Sequence, residues 1–237
     1  MEETEIEKII NQYNKVVKNI DSEAQNSNER AYGGIVREGK GMLVENIGKT
    51  LVKIAWKELN GNDDKLEFQN PIKGTTIKIP INQEYVNQLD DPEIKEYITK
   101  NTKKYNYTYK PDILVFIKKQ PVLEIECKAY TENAMFKRIL VDCTLIKNIY
   151  PDMKFILLQL ESELGGDYSE IKEHYLGSPS TTTLMSYFKV NIEIITLLEG
   201  ARKVDQPIHK SEYFKELTEE SLRIAINKIK NQLKEFI

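Results

Sequence analysis

Three ionisable side chains at alternate positions of one apolar run are the residues of this chain best arranged to do chemistry. The run Val122-Leu123-Glu124-Ile125-Glu126-Cys127-Lys128 follows a second one, Ile113-Leu114-Val115-Phe116-Ile117, which is headed by Pro111 and Asp112. In a strand successive side chains point to opposite faces, so Glu124, Glu126 and Lys128 share one face while Ile125 and Cys127 pack on the other. Acids and a lysine on a mostly buried sheet are costly without partners. The natural explanation for such a cluster is a bound cation and a charged substrate.

The elements that must position this cluster follow from apolar periodicity. Lys118-Lys119-Gln120-Pro121 reads as a tight turn that joins the two runs into a hairpin. Upstream, Ile6, Ile9, Ile10, Tyr13, Val16, Val17 and Ile20 recur at helical spacing, and Leu43, Ile47, Leu51, Ala55 and Leu59 mark a second helix. Between them lies a polar stretch and then Gly33-Gly34 and Gly39-Lys40-Gly41, read as loop; Asn60-Gly61 ends the second helix. Residues 65–69 and 75–81 read as short strands joined by Asn70-Pro71-Ile72-Lys73-Gly74, and a polar helix runs from Pro92 to about Thr102.

Downstream, Thr131 is placed to cap a helix running to about Asn148, with Phe136, Ile139, Leu140, Cys143 and Ile146 on its inner face. The run 154–160 is a buried strand, and alternation of helix and strand here points to an α/β sheet. Residues 161–188 read as a loop-rich insertion, Val190, Ile192 and Ile194 as a late strand, and Leu222, Ala225, Ile226, Ile229, Leu233 and Phe236 as a closing helix. The chain is expected to form a single domain over residues 1–237, with a core at about 42–160. The end helices, 2–20 and 219–237, pack on that core or serve a dimer interface.

Composition bounds the function without naming it. A chain of 237 residues with 40% hydrophobic content can bury a full core. With 30% charged residues and a formal net charge of −3 it has no global basic signature, so a nucleic-acid surface has to be a local patch. Cys127 and Cys143 form no metal-type cluster, the first residues are acidic, and no apolar stretch reaches the roughly 20 residues of a membrane helix. A reduced, cytoplasmic protein is expected.

Gly34 to Gly41 nearly spells a phosphate-binding loop, yet Gly41 stands where a hydroxyl should hold Mg²⁺, and Gly48-Lys49-Thr50 lacks the earlier glycine. Nucleotide hydrolysis is therefore not the reading. His174 and His209 belong to no ligand pair at helical or finger spacing and are taken as surface residues, which argues against zinc hydrolases.

The order helix, strand, strand, strand, helix, strand, with Pro-Asp opening one central strand and Glu-x-Lys in the next, resembles the PD-(D/E)xK nuclease superfamily. Pro111, Asp112, Glu126 and Lys128 carry the match. Within it, Leu123-Glu124-Ile125-Glu126-Cys127-Lys128-Ala129-Tyr130, followed by Asn133 and Met135, is similar to type II restriction endonucleases. The resemblance implies an α/β fold with a restriction-endonuclease-like core, a central mixed β-sheet flanked by helices, and loop-rich insertions. It implies Mg²⁺ held by Asp112 and Glu126, with the Cys127 carbonyl as a third ligand. Lys128 then orients the attacking water and stabilises negative charge. Many such enzymes place a glutamate on the helix before the sheet; Glu45 is the candidate, and pairing with Lys49 one turn on is its other reading.

Expected DNA contacts are Arg37 and Lys40, which otherwise form a basic loop, and Lys137 and Arg138, which otherwise sit on a solvated helix face. Base reading is assigned to the 161–188 insertion, through Ser180, Thr181 and Thr182; that segment is otherwise an excursion covering the sheet edge. The implied function is Mg²⁺-dependent cleavage of double-stranded DNA at a specific sequence by a homodimer, with a cognate DNA methyltransferase as genetic partner. Two alternatives stand beside it: a structure-specific nuclease of repair or recombination, and a non-catalytic DNA-binding module.

Overall fold

The two apolar runs are the centre of the molecule. A computed structural model describes residues 3–27, 31–68, 76–171 and 178–237. Strands β4 (Ile113–Ile117) and β5 (Gln120–Thr131) pair antiparallel across a turn in which Lys118 and Lys119 both have positive φ, 51° and 66°. That geometry matches the strand twist, and here two lysines adopt it where glycine or asparagine is usual. β1 (Leu66–Phe68) adds antiparallel to β4, while β6 (Lys154–Ser162) and β7 (Ile192–Thr196) add parallel beyond β5. The sheet order is β1-β4-β5-β6-β7, a mixed sheet flanked by helices.

Helices α1 (Glu5–Gln25), α2 (Tyr32–Glu58) and α7 (Glu219–Leu233) cover one face, where Tyr13, Leu51, Trp56 and Ile226 join Ile113, Ile125, Cys127 and Leu158 in one core. Helix α5 (Asn133–Lys147) covers the other, with Phe136 and Leu140 against Leu114, Phe155 and Leu157. A two-stranded arm of β2 (Ile77–Pro80) and β3 (Asn106–Tyr109) joins that second core through Ile77, Ile79 and Tyr109. Between its strands run α3 (Gln83–Asn87) and α4 (Pro92–Lys100), the latter capped by Asp91.

Four elements differ from the sequence reading. The glycine-rich stretch is helical, and α2 begins at Tyr32 rather than near Leu43. A Cβ on Gly39 would meet the Ile20 side chain at 2.5 Å, so the missing side chain allows α1 and α2 to approach, and this packing outweighs glycine's poor helix propensity. Thr131 does not cap α5; it is a buried strand residue paired with Ser162, and Glu132 is the cap position, because parallel pairing with β6 carries β5 that far.

The strands near 65–69 and 75–81 are not partners. β1 joins the main sheet, β2 pairs with β3, which periodicity did not single out, and the turn expected between them lies outside the described residues. The 161–188 segment contains α6 (Pro179–Ser186), started by the Ser178 hydroxyl accepting from the Thr181 N–H with proline in the first turn. His174 and its neighbours 172–177 lie outside the described residues.

Candidate active site

Strand register brings the acids together. Ile113 pairs with Ile125, so Asp112, one residue before β4, stands across from Glu126. One Asp112 carboxylate oxygen, Oδ2, accepts from the Cys127 N–H at 2.8 Å and from Lys128 Nζ at 3.2 Å. The Lys128 ammonium also donates to the Cys127 carbonyl at 3.2 Å and is paired with Glu126 Oε1. Three oxygens, from Asp112, Glu126 and the Cys127 main chain, thus converge on one cationic nitrogen.

The protonation balance follows from burial and like charge. Burial alone would lower the Lys128 pKa, but Glu126 and Asp112 hold it up at about 12. Burial, then the charge of Asp112, raises the Glu126 carboxyl, with Lys128 and Tyr109 opposing. Glu124 is fully buried and is raised well above the usual carboxylate range by burial and by the charge of Glu126. The Tyr109 hydroxyl lies 2.8 Å from Glu124 Oε1 and 3.0 Å from Glu126 Oε2. Burial and the two carboxylates push its own pKa up, so it is a neutral phenol with one proton to donate.

Glu45 is half-buried on α2, its carboxyl raised by burial and by the charge of Asp112. It also stands 3.9 Å from Lys49. Glu45 is thus loosely paired with Lys49 and feels the charge of Asp112.

Carboxylates outnumber compensating cations, a donor set of hard oxygens that fits a divalent ion such as Mg²⁺. Among the described residues no three His, Cys, Asp or Glu side chains form a metal-holding cluster, so an ion here would rest on two carboxylates, a main-chain carbonyl and water.

The sequence-predicted DNA contacts divide. Arg37 is exposed on α2, Lys137 and Arg138 on α5, and Ser180 and Thr182 on α6. Lys40 is not on a loop: it is buried on α2 with Nζ 3.1 Å from His209 Nδ1, and burial brings its pKa down to about 8. Thr181 is likewise withdrawn. It is fully buried, its hydroxyl oxygen 2.7 Å from Asn133 Oδ1 and 2.9 Å from the Leu164 carbonyl, because α6 turns that face inward. His209 bridges Lys40 to the Tyr32 hydroxyl and is only partly exposed. Tyr109 was missed, although Asn106-Tyr107-Thr108-Tyr109 alternates aromatic and polar residues as a half-buried strand does.

Comparison with known proteins adds a relative. The chain is 47% identical over 236 residues to the type II restriction enzyme DdeI of Desulfomicrobium norvegicum, covering 98% of this chain and 97% of that protein. No family model matches. Among solved structures, the native BbvCI A2B2 tetramer at low resolution aligns with a TM-score of 0.36 and 10% identity, over 98% of this chain and 89% of the other.

Proposed function

The chain belongs to the type II restriction enzymes, site-specific deoxyribonucleases, and from that premise we propose that it hydrolyses double-stranded DNA at one short sequence with Mg²⁺ held by Asp112, Glu126 and the Cys127 carbonyl. The observation that carries this reading is the convergence of those three oxygens on the Lys128 ammonium. A bound divalent cation supplies charge neutralisation at the attacked phosphate and acidifies a water.

The protein's own part is positional and electrostatic. The Cys127 N–H fixes the Asp112 carboxylate, and hairpin register fixes its separation from Glu126. Lys128, with its pKa held at about 12, stays protonated near neutral pH; it acts as a cation that orients water and stabilises developing negative charge, not as a base. Arg37, Lys137 and Arg138 extend positive charge to flanking phosphates, and Ser180 and Thr182 are the groups of α6 available for base edges. One centre per chain cuts one strand, so cleavage of both strands at a palindrome favours a two-fold homodimer. We further infer a cognate methyltransferase that protects the host DNA at the same sequence, and a cytoplasmic location for an enzyme whose substrate is DNA entering the cell.

Incubation with phage DNA tests this reading. Discrete fragments with Mg²⁺ and none without are expected, and Asp112→Ala, Glu126→Ala and Lys128→Ala each abolish cleavage while keeping the fold. Full activity in folded variants sinks the assignment. A smear in place of bands transfers it to a nonspecific or repair nuclease.

A further inference from the structure

We propose that Tyr109 is a positioning residue for the nuclease centre: its hydroxyl fixes the Glu126 carboxylate so that Oε1 is presented toward Asp112 and the Cys127 carbonyl. The inference rests on the metal-dependent reading above. Both oxygens of Glu126 have a protein donor, but of different kinds. Oε1 contacts the Lys128 ammonium, a flexible cation that also serves Asp112 and Cys127, whereas Oε2 lies 3.0 Å from the Tyr109 hydroxyl.

The tyrosine is itself held. Its ring is packed in the α5-side core with Leu114, Phe136 and Phe155, leaving 8% of the residue exposed, and its oxygen is a second time engaged at 2.8 Å by Glu124 Oε1. Glu124 lies two residues from Glu126 on the same strand face and is fully buried, so it holds the phenol oxygen at a second point. A rigid ring on a packed strand thereby restricts a glutamate whose own side chain has three rotatable bonds. Outer hydrogen bonds of this kind orient metal-binding carboxylates, and their loss typically lowers metal affinity about 10- to 100-fold.

The arm gives the arrangement a wider consequence. Tyr109 ends β3, which pairs with β2 and not with the main sheet, so the geometry of the reactive carboxylate depends on where the arm sits on α5. Tyr107, on the same face of β3, donates to Asp142 of α5 at 2.9 Å and fixes that seat.

Tyr109→Phe removes one oxygen and keeps the ring, and Mn²⁺ binding by titration calorimetry without DNA reads its effect. The expected result is an affinity about 10-fold weaker, a matching rise in the Mg²⁺ concentration for half-maximal cleavage, and an unchanged KM for DNA, with activity recovering at saturating Mg²⁺. In a Glu126→Asp background, whose shorter carboxylate is drawn away from the hydroxyl, Tyr109→Phe lowers affinity no further; additive losses overturn the proposal. So does an unchanged Mn²⁺ affinity beside a lowered melting temperature, which makes the hydroxyl a partner for buried Glu124 and nothing more. Wild-type protein that binds no Mn²⁺ overturns the metal-dependent reading as well. Wild type that binds and cuts while Tyr109→Phe matches it overturns only the role of Tyr109.

Discussion

Replacing Lys128 with methionine separates the two tasks proposed for that side chain, neutralising the acids in the metal-free protein and serving the reaction. Its ammonium is the cation common to Asp112 and Glu126, and the three side chains are 26%, 28% and 16% exposed. Breaking a fully buried pair costs roughly 3–5 kcal/mol, and partial solvation here brings the expected loss to about 2 kcal/mol. For 237 residues, an unfolding entropy of about 2.1 cal/mol/K per residue turns that into a drop in Tm of about 4 °C.

The sign with pH follows from the carboxyls. Glu126 already has a raised pKa, so its folded form binds a proton more readily than the unfolded chain and the resulting penalty grows as pH rises above about 4.5. Without Lys128 that penalty is larger, so the stability gap between Lys128→Met and wild type should be wide at pH 8 and narrow at pH 5.5. Lys128 itself adds no slope in that window, since the stability it contributes is fully present below 10.5 and is lost only as pH rises through about 12. Mg²⁺ at ten times its Kd should restore about 1.4 kcal/mol to the variant, while cleavage stays absent. Thermal melts at both pH values, with and without Mg²⁺, make the measurement. A variant that melts with wild type at every pH and ignores Mg²⁺ refutes the argument that this lysine neutralises the acids in the metal-free protein.

Glu124→Gln removes a fully buried acid of raised pKa while keeping an amide partner for the Tyr109 hydroxyl; the metal-free protein should gain on the order of 1–3 kcal/mol at pH 8 and nothing at pH 4, measured by urea unfolding. Glu45→Gln should raise the Mg²⁺ concentration needed for cleavage without changing Tm by more than about 2 °C, the scale of a ~1 kcal/mol surface pair in a chain of this size; unchanged Mg²⁺ dependence leaves Glu45 as the partner of Lys49 alone. Gly48→Val should destabilise by about 1–3 kcal/mol, because a Cβ there meets Ile113 at 2.7 Å and Leu158 at 3.0 Å beneath the reactive strands; a variant as stable as wild type in denaturant would show that α2 can lift from the sheet freely.

The sequence by itself determined the hairpin and the acids it carries. Asp112, Glu126 and Lys128 lie within a short stretch whose period-2 pattern specifies a face; the local turn pairs Ile117 with Gln120, and a bulge between Val115 and Phe116 then shifts the register by one residue and brings Asp112 opposite Glu126. The amphipathic faces of α1 and α7 were legible for the same reason, since one apolar stripe defines one buried side. Tertiary structure decided everything that depends on a neighbour remote in sequence. Gly33 to Gly41 reads locally as a loop, yet it is helical, and at Gly39 the Ile20 side chain of α1 fills the space a Cβ would take. Lys40 and Thr181 looked available for DNA until α2 and α6 turned them toward His209 and Asn133. Tyr109 reaches Glu124 and Glu126 from a separate two-stranded arm, and no local pattern encodes that contact, because packing of the arm on α5 and the sheet brings the hydroxyl to the acids.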